Sequence, residues 1–381
     1  MRIGVDARLL SLPLTGIGRY TVEMLHALQL KDAEWRLYSP MPPLCINTWN
    51  EKTCLRYGVA DSRIARMIWS QTSLPKWASD DELDVFWGAT HRLPFALPKH
   101  VARVVTIHDL VWRHAPQTMR FISRIMDARL MPQAIQMADV VVAVSQSTAN
   151  DIEAEFPFAR GKVRVVLLGA KKLARSQAWE SLAKWSIKLP YLLAVGTLEP
   201  RKNLVRLLHA FAAIPEALRI THQLVLVGGK GWGGVSLPDV VEELGLSQHV
   251  VICGYVSDEE LTTLYTHALC LAMPSLYEGF GLPLVEAMSC GTPVIASTTS
   301  SMPEVVGPAG FLVDPNDVDS IRTGICQVLD PKFDKTSWAE IAKHQASKFT
   351  WDRAADQTMQ VFAEAIEERK GKLRNARSAI F

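Results

Sequence analysis

The chain has 381 residues, which is too many for one typical hydrophobic core and fits two domains. Hydrophobic residues make up 48% of it, enough for large buried cores. The formal net charge is only +2, so bulk charge does not indicate a nucleic-acid-binding protein.

Six cysteines are scattered along the chain, with no Cys-x-x-Cys pair and no cluster with histidine. This pattern predicts reduced, buried thiols rather than disulfides or a zinc site. The N-terminus runs directly into a strand-like segment without a signal peptide, and no window reaches about 18 uninterrupted apolar residues. We therefore expect a cytoplasmic protein, with peripheral contact with the inner membrane left open. The cysteines are Cys45, Cys54, Cys253, Cys270, Cys290 and Cys326.

Short β-branched and apolar runs alternate with helical stretches along the whole chain. Continuous apolar runs bounded by turn residues are typical of strands in parallel sheets that are covered on both faces. The alternation predicts an α/β fold. The predicted strands are residues 3–5, 104–107 and 140–144 in the first half and residues 191–195, 224–227, 250–253, 271–273 and 293–296 in the second.

The segment 169–190 interrupts this pattern, because its periodicity is weak and basic residues accumulate in it. We take it as a linker and divide the chain into 1–175, 186–350 and 351–381. The last part contains a predicted helix over 351–368, followed by a basic tail. That tail is either a frayed, solvated end or a segment attracted to anionic lipid headgroups. Its basic residues are Arg369, Lys370, Lys372, Arg374 and Arg377.

The segment 15–20, Thr-Gly-Ile-Gly-Arg-Tyr, follows the first predicted strand and precedes a helix predicted over 21–28. Gly16 and Gly18 allow a tight turn with close backbone approach to a bound group. A dinucleotide-binding fingerprint would need a third glycine where Thr21 stands, so the match to that motif is partial. A simple strand-to-helix turn is the alternative.

His108 and Asp109 follow the predicted strand 104–107. Ligands gather at the carboxyl ends of strands in open α/β sheets, so His108 is a candidate site residue. The alternatives are a packed histidine and an aspartate that caps the next segment.

Arg201 and Lys202 lie between the strand 191–195 and a helix predicted over 204–212. Two cations near a helix N-terminus oppose its dipole unless an anion lies between them. A diphosphate would supply that anion, with arginine as a fork and lysine as a point charge. The alternative is a pair of solvated surface cations.

A glycine-rich loop, residues 228–234, follows the strand 224–227. It is not a P-loop, because Gly231 stands where that motif needs Ser or Thr after Gly-Lys. We expect it near the ligand-binding edge of the sheet and assign it no role.

The most specific signal is the segment 274–288, in which Glu278 and Glu286 flank a turn that opens a helix. Gly279 and Gly281 can adopt positive φ and expose backbone N–H groups at the helix N-terminus. Pro283 suits the first helical turn. Two carboxylates would repel a phosphate, so we interpret them as acceptors for hydroxyl groups, one for a sugar and one for a ribose.

Together these motifs resemble glycosyltransferase family 4, a retaining group with the GT-B fold, and look closest to its bacterial O-antigen mannosyltransferases. The resemblance covers nearly the full length of the chain. Thr197 stands where many relatives carry arginine. The residues that carry the resemblance are Gly16–Gly18, His108, 199–203, 254–256, 278–281 and Glu286.

The resemblance implies two Rossmann-like domains with parallel sheets that face each other across a cleft. Residues 1–175 would bind the acceptor, residues 186–350 would bind the nucleotide-sugar donor, and the helix of 351–381 would cross back to the first domain. No metal and no cofactor are implied.

The implied catalytic residues are His108 near the reacting carbon, Glu278 on sugar hydroxyls, and Arg201 and Lys202 on the donor diphosphate. Glu286 would accept hydrogen bonds from the ribose. The other implied donor-binding residues are Gly16, Gly18, Tyr255, Val256, Gly279, Phe280, Gly281 and Leu282.

The expected reaction moves mannose from GDP-mannose to a hydroxyl of a lipid-linked saccharide, with an α linkage, in O-antigen synthesis. Same-face attack is implied, in which a leaving phosphate oxygen takes the acceptor proton. A UDP-sugar-dependent transferase and a sugar-nucleotide epimerase are the alternatives, and an NAD-dependent oxidoreductase is disfavoured by the missing third glycine. No nucleic acid partner is expected.

The segment 122–135 mixes apolar residues with Arg124 and Arg129. Such a segment can lie on an anionic membrane surface. It can equally be an amphipathic helix that faces the core, which is the interpretation we favour.

Overall fold

The computed structural model describes residues 1–13, 16–44, 49–170, 176–233 and 235–378, without the side chain of Arg377. Thr15, Cys45, Gly234 and three basic residues of the predicted linker, Lys171, Lys172 and Arg175, lie outside this description. The described residues belong to two compact units. Unit 1 comprises residues 1–112, 121–169 and 350–381, and unit 2 comprises residues 113–120 and 170–349.

In the described part of unit 1, seven strands form one parallel sheet in the order β3-β2-β1-β4-β5-β6-β7. These strands are β1 Arg2–Asp6, β2 Glu34–Ser39, β3 Thr53–Tyr57, β4 Val85–Gly88, β5 Ala102–Ile107, β6 Val140–Ala143 and β7 Val163–Val165.

In the described part of unit 2, six strands form a second parallel sheet in the order β10-β9-β8-β11-β12-β13. These strands are β8 Tyr191–Val195, β9 Gln223–Val227, β10 Val250–Gly254, β11 Cys270–Met273, β12 Val294–Ser297 and β13 Gly310–Val313.

Helices connect the strands in both units. The helices are α1 Gly16–Leu28, α2 Arg63–Gln71, α3 Ser73–Asp80, α4 Val111–His114, α5 Phe121–Met137, α6 Gln146–Glu155, α7 Leu204–Ala212, α8 Glu216–Arg219, α9 Leu237–Glu243, α10 Asp258–His267, α11 Leu282–Ser289, α12 Met302–Val306, α13 Val318–Leu329, α14 Lys335–Ala346 and α15 Trp351–Ser378. Short 3-10 helices cover Arg8–Ser11, Pro116–Thr118, Pro157–Ala159, Trp179–Trp185 and Pro200–Lys202.

The central strands are buried on both faces, which explains their continuous apolar sequences. Every residue of β6, β9, β11 and β12 is buried. Each unit has its own hydrophobic core of strand and helix side chains. The strand predictions and the α/β class are therefore confirmed.

In both sheets the order in which successive strands are added reverses at one point. In unit 1 the chain runs outward from β1 to β3 and then returns to place β4 on the other side of β1. In unit 2 it runs outward from β8 to β10 and then places β11 on the other side of β8. Loops that leave the two strands at such a switch point diverge and leave a crevice for a ligand at their carboxyl ends.

Helix α15 belongs to unit 1 and extends ten residues beyond the predicted end, Glu368, to Ser378. Arg369 Nη2 lies 2.8 Å from Asp139 Oδ2, and Lys372 Nζ lies 2.9 Å from Asp139 Oδ1. The interpretation of this part as a frayed end was wrong, because an almost fully buried carboxylate holds two of its cations.

Two further expectations need correction. The favoured interpretation of 122–135 as a core-facing helix holds only for the second half of α5, where Met131 and Ile135 are buried, whereas Ile122 is 67% exposed. The expectation of buried thiols is wrong for Cys54, which is exposed because it lies on the edge strand β3. Among the described cysteines only Cys270 is fully buried.

No helix in the described ranges is long and apolar enough to cross a membrane.

Candidate functional site

The candidate site in unit 2 begins with the loop after β8, which is bent tightly enough to turn Lys202 back over the strand end. Gly196 has φ +145°, and a Cβ there would lie 2.9 Å from Lys202 Cε. At the other end of the loop, Asn203 has φ +59° and its Nδ2 donates to Pro274 O at 2.9 Å and to Pro315 O at 2.7 Å. These bonds fix the start of α7.

The loop after β11 meets this loop at the switch point of the sheet. Leu276 N donates to Arg201 O at 2.9 Å, and Arg201 Nη1 donates to Tyr277 O at 2.9 Å. The segments that contain the predicted Arg201–Lys202 pair and the predicted Glu278 are therefore joined by backbone and side-chain hydrogen bonds.

Four charged side chains form one cluster where the two loops meet. Glu278 Oε2 lies 2.5 Å from Arg201 Nη1, and Glu278 Oε1 lies 2.7 Å from Lys202 Nζ. Glu199 Oε1 lies 2.7 Å from Arg201 Nη2. Two acids and two bases make the cluster neutral, so the anion that the cations require is, in the structure, a carboxylate of the chain itself.

Glu278 remains ionised in spite of its burial. The side chain is only 8% exposed, and burial by itself raises the pKa of a carboxyl group. The charges of Arg201 and Lys202 outweigh that effect and lower the pKa of Glu278 to about 2. Glu278 is therefore charged at neutral pH.

Helix α11 starts beside the cluster. Gly281 caps it with φ +94°, and a Cβ there would lie 3.0 Å from Met273 Cε. The first N–H groups of any helix have no acceptor within it, so the backbone of Phe280, Gly281 and Leu282 is suited to an anion or an oxygen-rich ligand.

Glu286 lies within α11 and is 9% exposed. The hydroxyl of Tyr265 donates to Glu286 Oε2 at 2.9 Å. Sequence reasoning missed Tyr265, because nothing in the pattern of α10 distinguishes a tyrosine with a polar partner from an ordinary core tyrosine.

Two serines after β12 hold the backbone of Glu278 and were also missed. Ser300 Oγ accepts from Glu278 N at 3.0 Å, and Ser301 Oγ donates to Glu278 O at 2.9 Å. A signal for them existed, since Thr298–Ser301 is a polar run directly after a buried strand. The side chain of Glu278 therefore projects from a fixed backbone.

The glycine-rich loop, which had no predicted role, permits close packing of two loops. A Cβ on Gly228 would lie 1.8 Å from Gly196 O, and one on Gly231 would lie 1.8 Å from Leu198 O. Larger residues at these positions would displace the loop that carries Arg201 and Lys202.

Tyr255 and Val256 follow β10, which is separated from β8 by β9. Tyr255 is 77% exposed, whereas Val256 is buried. Tyr255 and Val256 lie at the same carboxyl edge of the sheet as the charged cluster. The cluster follows β8 and β11, however, and β8 is two strands away from β10.

In unit 1, His108 follows β5 and is buried. The backbone N–H of His108 donates to His91 Nε2 at 2.8 Å, and the ring Nε2 of His108 lies 2.9 Å from Ala89 O. A carbonyl only accepts, so His108 carries its proton on Nε2. Burial lowers the pKa of His108 to about 4, so the ring is neutral at pH 7. Sequence reasoning missed His91, which has φ +63°.

Gly16 and Gly18 lie inside α1, which starts at Gly16 and not at Thr21, so the predicted turn over 16–20 was wrong. Gly18 is buried, while Gly16 is exposed. A Cβ on Gly16 would meet no atom within 4 Å. Packing within the described residues therefore does not require glycine at position 16.

In the ranges that the structure describes, no group of three or more His, Cys, Asp or Glu side chains could hold a metal ion.

Two family models match the chain. "Glycosyltransferase Family 4" matches residues 14–170, and "Glycosyl transferases group 1" matches residues 178–345. The two matches correspond to the two halves in which the sheets were found.

Curated and solved proteins agree with these matches. O-antigen chain mannosyltransferase B of Escherichia coli is 32% identical over 380 residues, with 92% of this chain and 96% of that protein covered. O-antigen chain mannosyltransferase RfbU of Salmonella typhimurium is 30% identical, with 58% of this chain and 60% of that protein covered. Sucrose-phosphate synthase of Thermosynechococcus elongatus has a similar structure, with a TM-score of 0.75, 22% identity and coverage of 96% and 98%.

The sequence match extends over nearly the whole chain, and the structural match extends over both sheets. The chain belongs to glycosyltransferase family 4 and has the GT-B fold.

Proposed function

We propose that the chain transfers mannose from GDP-mannose to a hydroxyl of a lipid-linked saccharide, with retention and an α linkage, in O-antigen synthesis. Two of its relatives carry the names of O-antigen mannosyltransferases. The observation that carries the proposal is the cluster of Arg201, Lys202 and Glu278 at the switch point of the second sheet.

The two cations bind the donor diphosphate. In the reaction, the bond from the anomeric carbon to the phosphate oxygen breaks and a bond to the acceptor oxygen forms on the same face. The acceptor proton passes to the leaving phosphate oxygen. Because negative charge grows on the diphosphate, Arg201, Lys202 and the N-terminus of α11 stabilise the transition state. They take the part that a metal ion would otherwise have.

The carboxylates bind the hydroxyl groups of the donor. Glu278 accepts from the hydroxyls of the sugar, and Glu286, oriented by Tyr265, accepts from the ribose. The backbone of residues 279–282 contacts the sugar or the phosphate, while Gly18, Tyr255 and Val256 border the donor.

The first unit supplies uncharged contacts. His108 is neutral, so it contacts the transferring sugar near the reacting carbon without repelling positive charge that develops there. Gly16 approaches the donor phosphate, and a Cβ at this position would meet no protein atom within 4 Å, which leaves room for a ligand.

Titration calorimetry with GDP-mannose, UDP-glucose and UDP-galactose tests the donor, and NMR of the product tests the linkage. We expect binding of GDP-mannose and an α-linked product in the presence of EDTA. Binding of UDP-sugars alone would overturn the proposed donor. An epimer formed from the donor without an acceptor would overturn transfer, and loss of activity with EDTA would overturn metal independence.

An exposed surface of unit 1 suits the membrane that holds such an acceptor. Gln71 Oε1, at the end of α2, accepts from Phe95 N at 3.0 Å, and Arg92 of the same loop lies 3.5 Å from Asp127 of α5. Two helices with exposed apolar residues are thus joined to one loop. We call the following residues the apolar–basic surface: Arg63, Ile64, Arg66, Met67, Ile68, Phe95, Phe121, Ile122, Arg124 and Ile125.

Apolar side chains interleaved with arginine are typical of surfaces that enter an anionic headgroup layer. Flotation with phosphatidylglycerol vesicles tests this on the variant Ile64→Ser/Met67→Ser/Ile68→Ser. We expect reduced binding. The matched control is Ile220→Ser/Val235→Ser, which removes exposed apolar residues of unit 2. Equal binding by both variants would contradict the assignment.

A further inference from the structure

The carboxylate of Glu278 uses both of its oxygens on the two cations that the proposed function assigns to the diphosphate. One oxygen contacts Arg201 Nη1 at 2.5 Å, and the other contacts Lys202 Nζ at 2.7 Å. A diphosphate also offers pairs of anionic oxygens to such cations. The carboxylate and the diphosphate therefore compete for the same two partners.

Contact of both groups with the same two cations is energetically unfavourable. The side chains of Arg201, Lys202 and Glu278 are 18%, 12% and 8% exposed, so water screens their charges weakly. The cluster with Glu199 is already neutral, and a diphosphate beside Glu278 would place like charges together in a poorly hydrated space.

The backbone of Glu278 is held in place, so its side chain is the part that can move. Ser300 and Ser301 make hydrogen bonds with the backbone N–H and C=O of Glu278, and Leu276 N donates a hydrogen bond to Arg201 O. A rotation of the glutamate side chain changes its partners without moving the loop.

We propose that Glu278 exchanges partners during donor binding: the diphosphate displaces its carboxylate from Arg201 and Lys202, and the hydroxyls of the donor sugar compensate the displaced carboxylate. Glu278 thereby makes tight binding depend on the presence of the sugar. After transfer, the remaining nucleoside diphosphate offers no such hydroxyls, so the carboxylate competes for the cations again and promotes release of the product. This inference rests on the proposed function.

A purely structural ion cluster predicts a different result. If Glu278 only held the two loops together, its neutralisation would weaken the binding of every nucleotide by loosening the loop of Arg201 and Lys202. The exchange instead predicts that neutralisation of Glu278 strengthens the binding of a nucleoside diphosphate and weakens the binding of a sugar nucleotide.

The experiment is titration calorimetry of GDP and GDP-mannose with the unmodified protein, Glu278→Gln and Glu216→Gln. Glu216 is exposed on α8 of the same unit, so its variant controls for the loss of one negative charge. We expect the unmodified protein and Glu216→Gln to prefer GDP-mannose. Glu278→Gln should bind GDP more tightly, on the order of tenfold, and lose most of that preference.

Weaker or unchanged GDP binding by folded Glu278→Gln would overturn the exchange. If this variant does not fold, GDP-mannose is compared on the unmodified protein with analogues that each lack one hydroxyl of the mannose. A deoxy sugar that binds as tightly as mannose at every tested hydroxyl position would overturn the proposal, and a drop toward the affinity of GDP would support it.

Failure of the proposed donor gives a separate result. If the unmodified protein binds UDP and UDP-glucose but not the guanosine nucleotides, the proposed donor is wrong. The same comparison with uridine nucleotides and Glu278→Gln then decides the exchange. Binding of no nucleotide would overturn both.

Discussion

The carboxyl edges of the two sheets present opposite chemistry, after β8 and β11 in unit 2 and after β5 in unit 1. In unit 2, Glu199, Arg201, Lys202 and Glu278 form a cluster of two acidic and two basic side chains. In unit 1 His108 is buried and neutral and its ring lies 4.5 Å from that of Tyr20 in an edge arrangement. Two sheets of similar topology therefore carry a charged cluster at one carboxyl edge and a neutral imidazole at the other, because their loops differ.

The difference has a physical cause in the partners that each loop supplies. Cations beside Glu278 offset the cost of burying its charge, so the carboxyl stays ionised. His108 has a carbonyl, a second histidine and aromatic rings around it, and none of these groups stabilises an imidazolium enough to offset burial.

The largest expected effect is on catalysis in unit 2. In the proposed reaction, Lys202→Ala removes a cation that stabilises the developing charge of the diphosphate, so it should lower kcat by about 100- to 1000-fold, by analogy with the loss of one oxyanion donor. His108→Ala removes only uncharged contacts and should have a smaller effect. Steady-state kinetics check this, with the exposed Lys332→Ala as control. Equal losses for the Lys202 and His108 variants would contradict the division of roles.

The second prediction separates the units by pH. The pKa of His108 falls from 6.5 to about 4 on folding, so its contribution to stability is complete above pH 6.5 and is lost as the pH falls toward 4. The pKa of Glu278 falls from 4.5 to about 2, so its contribution is complete above pH 4.5 and is lost toward pH 2. Each contribution is about 3 kcal/mol at most.

Hydrogen exchange of strand amides, converted to opening free energies, measures both windows. Between pH 6.5 and 4.5, β5 should lose protection while β11 keeps it. His108→Asn has no imidazole to protonate at this position, so it should reduce the slope of the β5 profile in this range, while the neighbouring His91, whose pKa burial also lowers, keeps its own contribution. Earlier loss of protection in β11 would show that the assignment of the two windows is wrong.

The third prediction compares one glycine from each unit. Gly281 has φ +94°, and a Cβ there would lie 3.0 and 3.1 Å from Met273 and Leu284, so Gly281→Ala should lower the free energy of unfolding by about 2 kcal/mol. Gly16 has open space around it, so Gly16→Ala should leave that free energy within about 1 kcal/mol. Urea unfolding measures both.

Activity adds a second test of Gly16. Because its glycine is not explained by packing, we expect Gly16→Ala to raise KM for the donor while the protein remains folded. A variant with normal stability and normal KM would mean that Gly16 does not approach the donor.

Much of the fold could be predicted because buried parallel strands have a recognisable sequence pattern. The strand 191–195 and the helix 204–212 coincide with β8 and α7, since burial on both faces requires continuous apolar runs. The start of α1 was missed because Gly16 and Gly18 are poor helix formers, and packing of Tyr20 and Met24 into the core overrides that propensity.

The candidate site was predictable only in part. Arg201 and Lys202 could be selected because two cations before a helix signal an anion, and Glu278 because it precedes the glycines that open α11. The ion pairs between them were not predicted, since Lys202 and Glu278 are 76 residues apart in the sequence. Tyr265 and His91 could not be selected, because their roles depend on strand order and on the left-handed backbone of His91. Periodicity contains no information on either.

The smallest expected effect comes from two buried tyrosines, one in each unit. Tyr265 OH donates to the carboxylate of Glu286 at 2.9 Å, whereas Tyr20 OH lies 3.2 Å from the hydroxyl of Thr106. A hydrogen bond to a charged group contributes about 1.5–3 kcal/mol, and one between neutral groups contributes about 0.5–1.5 kcal/mol. Tyr265→Phe should therefore destabilise by about 1 kcal/mol more than Tyr20→Phe. Thr106 also keeps its bond from Trp87 Nε1, which limits the cost in unit 1. Urea unfolding of the two variants measures the difference, and a larger loss for Tyr20→Phe would mean that the polar contacts of unit 1 are stronger than their neutral character implies.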